Sequence, residues 1–169
     1  MRRLRALIAG LAVTSAALAL AVPGTARAAN YNNWVTANGL CMGVMGGNMN
    51  PGTFIISWPC DNSLNQDWSE DTNSGAPGTV LLRNGANHAD CLSVLGKSIN
   101  PNTPLVIWPC KIASDNQDQR WYIADAPQTQ IVNFNSQLQI APAGGQGSTI
   151  EEWNGRTQVL WSPIDFVSF

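Results

Sequence analysis

Two pairs of cysteines constrain this chain more than any other feature. Cys41 and Cys60 lie 19 residues apart, Cys91 and Cys110 repeat that spacing, and the second pair begins 50 residues after the first. The repeat extends well beyond the cysteines. The first copy reads Cys41-Met42-Gly43-Val44, Asn50-Pro51, Trp58-Pro59-Cys60 and Asn65-Gln66-Asp67-Trp68; the second reads Cys91-Leu92-Ser93-Val94, Asn100-Pro101, Trp108-Pro109-Cys110 and Asp118-Gln119-Arg120-Trp121. A third, cysteine-free copy is read about 46 residues further on as Gln137-Leu138-Gln139-Ile140, Gly144-Gly145, Glu152-Trp153 and Gln158-Val159-Leu160-Trp161. Self-similarity of this kind takes precedence over any local reading.

Within each copy the texture is strand and turn. Phe54–Trp58 and Leu105–Trp108 are β-branched and aromatic, and Thr79–Arg83 and Gln130–Phe134 read as strands leading into copies two and three. Gly46-Gly47-Asn48, Asn50-Pro51-Gly52, Gly75-Ala76-Pro77-Gly78 and Asn100-Pro101-Asn102 supply turn chemistry between them. No window beyond the N-terminus holds a helical apolar period. Short strands at even intervals, in three copies, predict an all-β threefold barrel, with repeats at about 31–78, 79–128 and 129–169.

The N-terminus reads differently. Arg2, Arg3 and Arg5 precede an apolar run from Ala6 to Val22, Pro23-Gly24 breaks it, and Ala26-Arg27-Ala28 places small residues where a signal peptidase reads them. Residues 1–28 are expected to be a secretory signal peptide, leaving 29–169 as one domain. The remaining chain carries five basic residues against eleven acids, a net charge of −6 where the whole sequence has −2. That charge disfavours nucleic acid. An exported chain with an even cysteine count favours disulfides, and the absence of Cys-x-x-Cys pairs argues against zinc. Four cysteines allow three pairings; the repeated spacing favours Cys41–Cys60 and Cys91–Cys110.

The order Cys-x-x-Val, Trp-Pro-Cys, Asn-Gln-x-Trp resembles the repeat of ricin B-chain-type lectins, also called family 13 carbohydrate-binding modules. Gln66-Asp67-Trp68 and Gln119-Arg120-Trp121 match the family's Gln-x-Trp motif, and Gln158-Val159-Leu160-Trp161 is a stretched form of it. The resemblance implies a β-trefoil of three pseudo-repeats, each of about four strands. It places Trp68, Trp121 and Trp161 in the core and gives their partner glutamines a structural tie between strand and loop. In sugar-binding members the position of Trp58 and Trp108 carries the aromatic that stacks on the apolar face of a sugar ring; the competing reading is that both merely cover the barrel's side.

The same resemblance exposes a departure. Galactose-binding members carry an aspartate two residues after the first cysteine, and this chain has Gly43, Ser93 and, in copy three, Gln139. The asparagine before the motif's glutamine survives as Asn65, is Asp118 in copy two, where Asn116 and Gln117 lie nearby, and is Thr157 in copy three. The expected carbohydrate site is therefore Trp58, Asn65, Gln66 and Gly43, with Trp108, Asp118, Gln119 and Ser93 as a second, poorer one and copy three silent. Gly43 is expected to leave space where the carboxylate would sit.

Catalysis has little to stand on. His88 is the only histidine, neither Gly-x-Ser-x-Gly nor His-Glu-x-x-His occurs, and the stretch from Asp61 lacks the glycine and final glutamate of a calcium loop. Glu151 and Glu152 are adjacent, so on a strand they face opposite sides. The reading is a secreted, non-catalytic, cofactor-free and metal-free carbohydrate-binding module with no membrane span after signal removal. The rival is a protein-binding trefoil, a toxin-targeting subunit or an inhibitor, that has lost its sugar site.

Overall fold

The computed structural model describes residues 31–112, 116–124 and 126–165; the expected signal peptide lies outside them. Twelve strands are described, four per copy. Copy one supplies β1 (Tyr31–Thr36), β2 (Leu40–Val44), β3 (Ile55–Pro59) and β4 (Asp67–Asp71). Copy two supplies β5 (Leu81–Asn84), β6 (Asp90–Val94), β7 (Leu105–Pro109) and β8 (Trp121–Ile123). Copy three supplies β9 (Ile131–Asn133), β10 (Gln139–Pro142), β11 (Ile150–Trp153) and β12 (Trp161–Asp165).

The first and last strands of each copy close a six-stranded barrel. β1 pairs with β12 and β4, β4 with β5, and β8 with β9, all antiparallel. The two remaining junctions are single bridges, Val80 to Trp121 and Thr129 to Trp161, each with reciprocal N–H···O bonds. The middle strands form three hairpins, β2–β3, β6–β7 and β10–β11. This is the β-trefoil that the repeat implied.

Each hairpin is locked to its neighbour in a ring. Ile107 of copy two exchanges backbone hydrogen bonds with Gly52 and Thr53 of copy one. Glu152 of copy three does the same with Asn102 and Thr103 of copy two, and Ser57 of copy one with Gly147 and Ser148 of copy three. One residue in the middle of each hairpin's second strand thus holds the next turn. No copy completes its backbone hydrogen bonding alone, so the three fold as one unit.

Trp68, Trp121 and Trp161 are buried together at the barrel centre with Met42, Leu92 and Ile140. Their indole N–H groups donate to the carbonyls of Met42, Leu92 and Ile140 at 3.0, 3.2 and 3.2 Å. The large ring fills the core while its one polar atom is satisfied, which is what a buried tryptophan requires. Trp34, which the repeat pattern did not single out, is buried beside them.

These bonds correct the alignment of copy three. Ile140, not Leu138, occupies the position of Met42 and Leu92. The hairpin register agrees: Cys41 faces Trp58 and Cys91 faces Trp108, whereas Gln139 faces Trp153. Gln139 therefore stands where the other copies have a cysteine, and Ala141 stands where they have Gly43 and Ser93. Both disulfides form as the spacing indicated, Cys41 to Cys60 and Cys91 to Cys110. In copy three Gln139 replaces that link with hydrogen bonds, donating to Thr157 O at 2.9 Å and accepting from Val159 N at 3.0 Å.

Candidate functional site

Trp58 and Trp108 stand at the outer ends of β3 and β7 and are 42% and 40% exposed. Each indole lies against the neighbouring copy's turn. An added Cβ on Gly147 would sit 3.6 Å from Trp58, and one on Gly52 would sit 3.7 Å from Trp108. Both glycines have positive φ, +81° and +90°, so the turn calls for glycine, while the indole sits at an ordinary contact distance. Each tryptophan is thus partly covered by that turn and partly exposed.

Each of the two tryptophans lines a pocket. In copy one a cavity of about 470 Å³ is lined by Gly43, Val44, Met45, Gly46, Gly47, Ile56, Trp58, Asp61, Ser63, Asn65 and Gln66. In copy two a cavity of about 300 Å³ is lined by Ser93, Val94, Leu95, Gly96, Lys97, Val106, Trp108, Lys111 and Asp118. A 3-10 turn also lines each pocket, Met45–Gly47 in one and Leu95–Lys97 in the other. The middle glycine of each turn is left-handed, Gly46 at φ +62° and Gly96 at φ +65°. These turns carry Met45 and Leu95, both exposed. Sequence reasoning missed both walls, although Met45-Gly46 and Leu95-Gly96 occupy equal repeat positions.

The polar residues divide into two kinds. Gln66 and Gln119 are buried, and both amide ends bond to backbone. The Gln66 Oε1 accepts from Asp61 N and its Nε2 donates to Pro59 O at 3.1 and 2.9 Å; Gln119 repeats this with Lys111 N and Pro109 O at 3.0 and 3.1 Å. They hold the loop after each disulfide, and Gln66 also lines the copy one cavity. Asn65 and Asp118 line the pockets themselves. Equivalent asparagines of the barrel, Asn84 and Asn133, fix their backbones by donating to the carbonyls of Asn65 and Asp118 at 3.1 and 3.2 Å. Asn116, also considered from the sequence, is buried and bonds to Lys111 O and Gln119 Oε1.

Gly43 does not leave the expected vacancy. A Cβ there would fall 2.8 Å from Gln66 Cγ, in the middle of a side chain tied at its far end. In copy three Trp153 is only partly exposed and lies over Gly155, where an added Cβ would come within 2.2 Å of the indole. Glu152 occupies the core position held by Ser57 and Ile107. It is fully buried, takes a short hydrogen bond from Ser136 Oγ, and leaves Oε2 without a partner. Burial pushes its pKa up to about 7 against the pull of the Ser136 bond. Glu151, its neighbour, faces the other way and is half-buried. His88 is an exposed loop residue whose carbonyl accepts from Arg83. Among the described residues no cluster of three or more His, Cys, Asp or Glu could hold a metal, and no helix is long and apolar enough to cross a membrane.

Three interlocked hairpins on a six-stranded barrel, with a side pocket beside an exposed tryptophan, define a lectin-type β-trefoil. The family model of the ricin-type beta-trefoil lectin domain matches residues 33–137, and the chain belongs to that family. The match spans copies one and two and ends before β10. Among solved structures, the chain is similar to the designed threefold-symmetric protein ThreeFoil, at 16% identity and a TM-score of 0.69 over 80% of this chain and 98% of that one. It is similar to an exo-beta-1,3-galactanase from Clostridium thermocellum at 19% identity and a TM-score of 0.72, over 82% of this chain and 31% of that one. The agglutinin of Abrus precatorius shows 24% identity and a TM-score of 0.63, over 79% and 47%. At these identities the likeness shows the fold, and the chain spans less than half of the galactanase and the agglutinin. No curated protein matches the chain.

Proposed function

We propose that this chain is an exported, non-catalytic carbohydrate-binding module that takes glycan at the Trp58 and Trp108 pockets. The observation that carries the reading is the partition of the tryptophans. Trp34, Trp68, Trp121 and Trp161 are buried, while Trp58 and Trp108 stand open at the mouths of two equivalent pockets. Keeping two large indoles in water forgoes the burial free energy that the others contribute. A flat ring beside polar atoms suits a sugar, which has an apolar C–H face and a rim of hydroxyls.

Copy one suits an uncharged ring. Among the described residues its one charged lining residue is Asp61, and Asn65 offers a neutral oxygen while its Nδ2 donates to Val44 O at 3.0 Å. Stacking with neutral hydrogen bonds supports millimolar to high-micromolar affinity, about −4 to −6 kcal/mol per site. Two such sites on one polymer would raise retention through effective concentration. The two disulfides favour an oxidising compartment, and with the basic, apolar N-terminus they support secretion of residues 29–169. Similar folds include the C-half of an earthworm R-type lectin in complex with GalNAc and a non-toxic homologue of type II RIPs from Momordica charantia in complex with alpha-methyl-D-galactoside, which supports a sugar ligand for this chain too.

The test is retention of the full-length protein on insoluble polysaccharides and glycan-coated beads. Retention on at least one neutral glycan is expected. A folded protein retained on none would favour the protein-binding reading, to which a cytolethal distending toxin among the similar folds lends support.

A further inference from the structure

The two pockets share a plan and differ in one coupled pair of residues. In copy one, Asn65 donates to the carbonyl of Val44, and Gly43 has no room for a Cβ beside Gln66. In copy two both positions change together. Asp118 stands in place of Asn65 and Ser93 in place of Gly43, and Ser93 Oγ donates to Asp118 Oδ2 at 2.8 Å. A carboxylate cannot donate to a carbonyl as Asn65 does; it needs donors, and Ser93 supplies one.

One donor does not satisfy it. A carboxylate offers about four acceptor positions. Among the described residues Asp118 takes one side-chain hydrogen bond, and its Oδ1 has no partner. The residue is only 5% exposed, yet it lines the copy two cavity together with Ser93 and Trp108. Its backbone is fixed by Asn133, which donates to Asp118 O at 3.2 Å. The carboxylate torsion is two-fold, so a half-turn presents either oxygen to the cavity. A buried acceptor short of donors costs free energy until a donor reaches it. Copy one offers nothing equivalent. Asp61 lines that cavity, but it is exposed and its Oδ1 already accepts from the N–H and hydroxyl of Ser63. A hydrogen bond to an exposed carboxylate competes with water, whereas the low dielectric around a buried one strengthens it.

We propose that Asp118 is the specificity-determining residue of the copy two site and selects a neutral sugar ring that brings hydroxyl donors beside the face stacked on Trp108. A second anion next to Asp118 is repelled, and five bases against eleven acids in residues 29–169 disfavour polyanions in general. Copy two is then the stronger site, which reverses the order expected from the sequence. This rests on the carbohydrate-binding reading above and extends it to the group that reads the ligand.

The experiment is affinity electrophoresis of the full-length protein against galactomannan, laminarin and dextran, with glycan-coated beads for neutral oligosaccharides. On whichever probe holds the wild type, Trp108→Ala should weaken binding by about fivefold or more, and Trp58→Ala by about twofold or less. Adding Asp118→Asn to the Trp58→Ala protein should weaken it by about fivefold or more, because a charge-assisted acceptor is lost. The pair Ser93→Gly/Asp118→Asn writes the copy one residues into copy two. It should cause the same loss, and it replaces the single variant if that one fails to fold. Near-UV circular dichroism checks each protein. A folded Asp118→Asn or paired variant that binds as its parent does overturns the proposal. So does a wild type retained on neutral glycan whose binding is lost with Trp58→Ala and kept with Trp108→Ala; the carbohydrate reading then stands. A wild type retained on no neutral probe overturns both.

Discussion

Copies one and two differ from copy three in what each does with the same backbone. In the first two a disulfide ties the hairpin base, a glutamine holds the following loop, and the tryptophan of the second strand faces outward. In copy three a glutamine replaces the disulfide, the tryptophan folds over Gly155, and a glutamate sits in the core. The barrel needs all three copies for closure, yet only two need to keep a pocket. Copy three retains what the ring of hairpins and the central indoles demand, namely Trp161, Ile140 and the turn contacts, and differs elsewhere.

The largest effect expected from breaking this comparison lies in the shared core. Trp68→Ala and Trp161→Ala should each cost about 3–5 kcal/mol in denaturant unfolding, although one copy is stapled and the other is not. A much smaller loss at Trp161 would mean that copy three does not share the core. Removing Cys41 and Cys60 together should cost about 3 kcal/mol in the chain-entropy account. In the intact protein, hydrogen exchange should already find the copy three hairpin less protected than its stapled counterparts.

Glu152 gives copy three a pH dependence that the other two lack at this position. Its carboxyl binds a proton more tightly in the folded state than in the unfolded chain, with a pKa of about 7 against an ordinary 4.5. Its contribution to stability is therefore fully present below about pH 4.5 and declines as the pH rises through 7, by on the order of 2–3 kcal/mol. Glu152→Gln should flatten the loss of melting temperature between those pH values. A wild-type stability that rises through this window would show the assignment of Glu152 to be wrong.

Restoring the family's aspartate by Gly43→Asp should fail. Its Cβ would meet Gln66 Cγ, so the expected outcome is destabilisation of about 1–3 kcal/mol without tighter sugar binding. The smallest effect on stability belongs to Trp58→Ala, about 1 kcal/mol, because the residue is already 42% exposed at the edge of its hairpin.

Much of this was legible in the sequence. The phased cysteines and Gln-x-Trp motifs led to the trefoil, both disulfides and the three central tryptophans. The register of copy three was not legible, for a physical reason. Leu138 and Ile140 are both apolar and two apart, so a slip by two keeps every side chain on its proper face. Without a cysteine to anchor it, the pattern fits either way, and it takes the Trp161 to Ile140 bond and the hairpin register to decide. The pocket walls were missed because nothing in the local pattern marks Met45 and Leu95, apolar residues in short turns, as exposed. The packing of Gln66 against Gly43 depends on a contact across 23 positions that no local pattern encodes.

The central claim is that the two outward indoles bind glycan while the four buried ones build the fold. The measurement that tests it most directly is retention of the Trp58→Ala/Trp108→Ala protein on whichever polysaccharide holds the wild type, with folding checked by near-UV circular dichroism. The account predicts a folded protein that is no longer retained. A folded double variant retained as well as the wild type would contradict it.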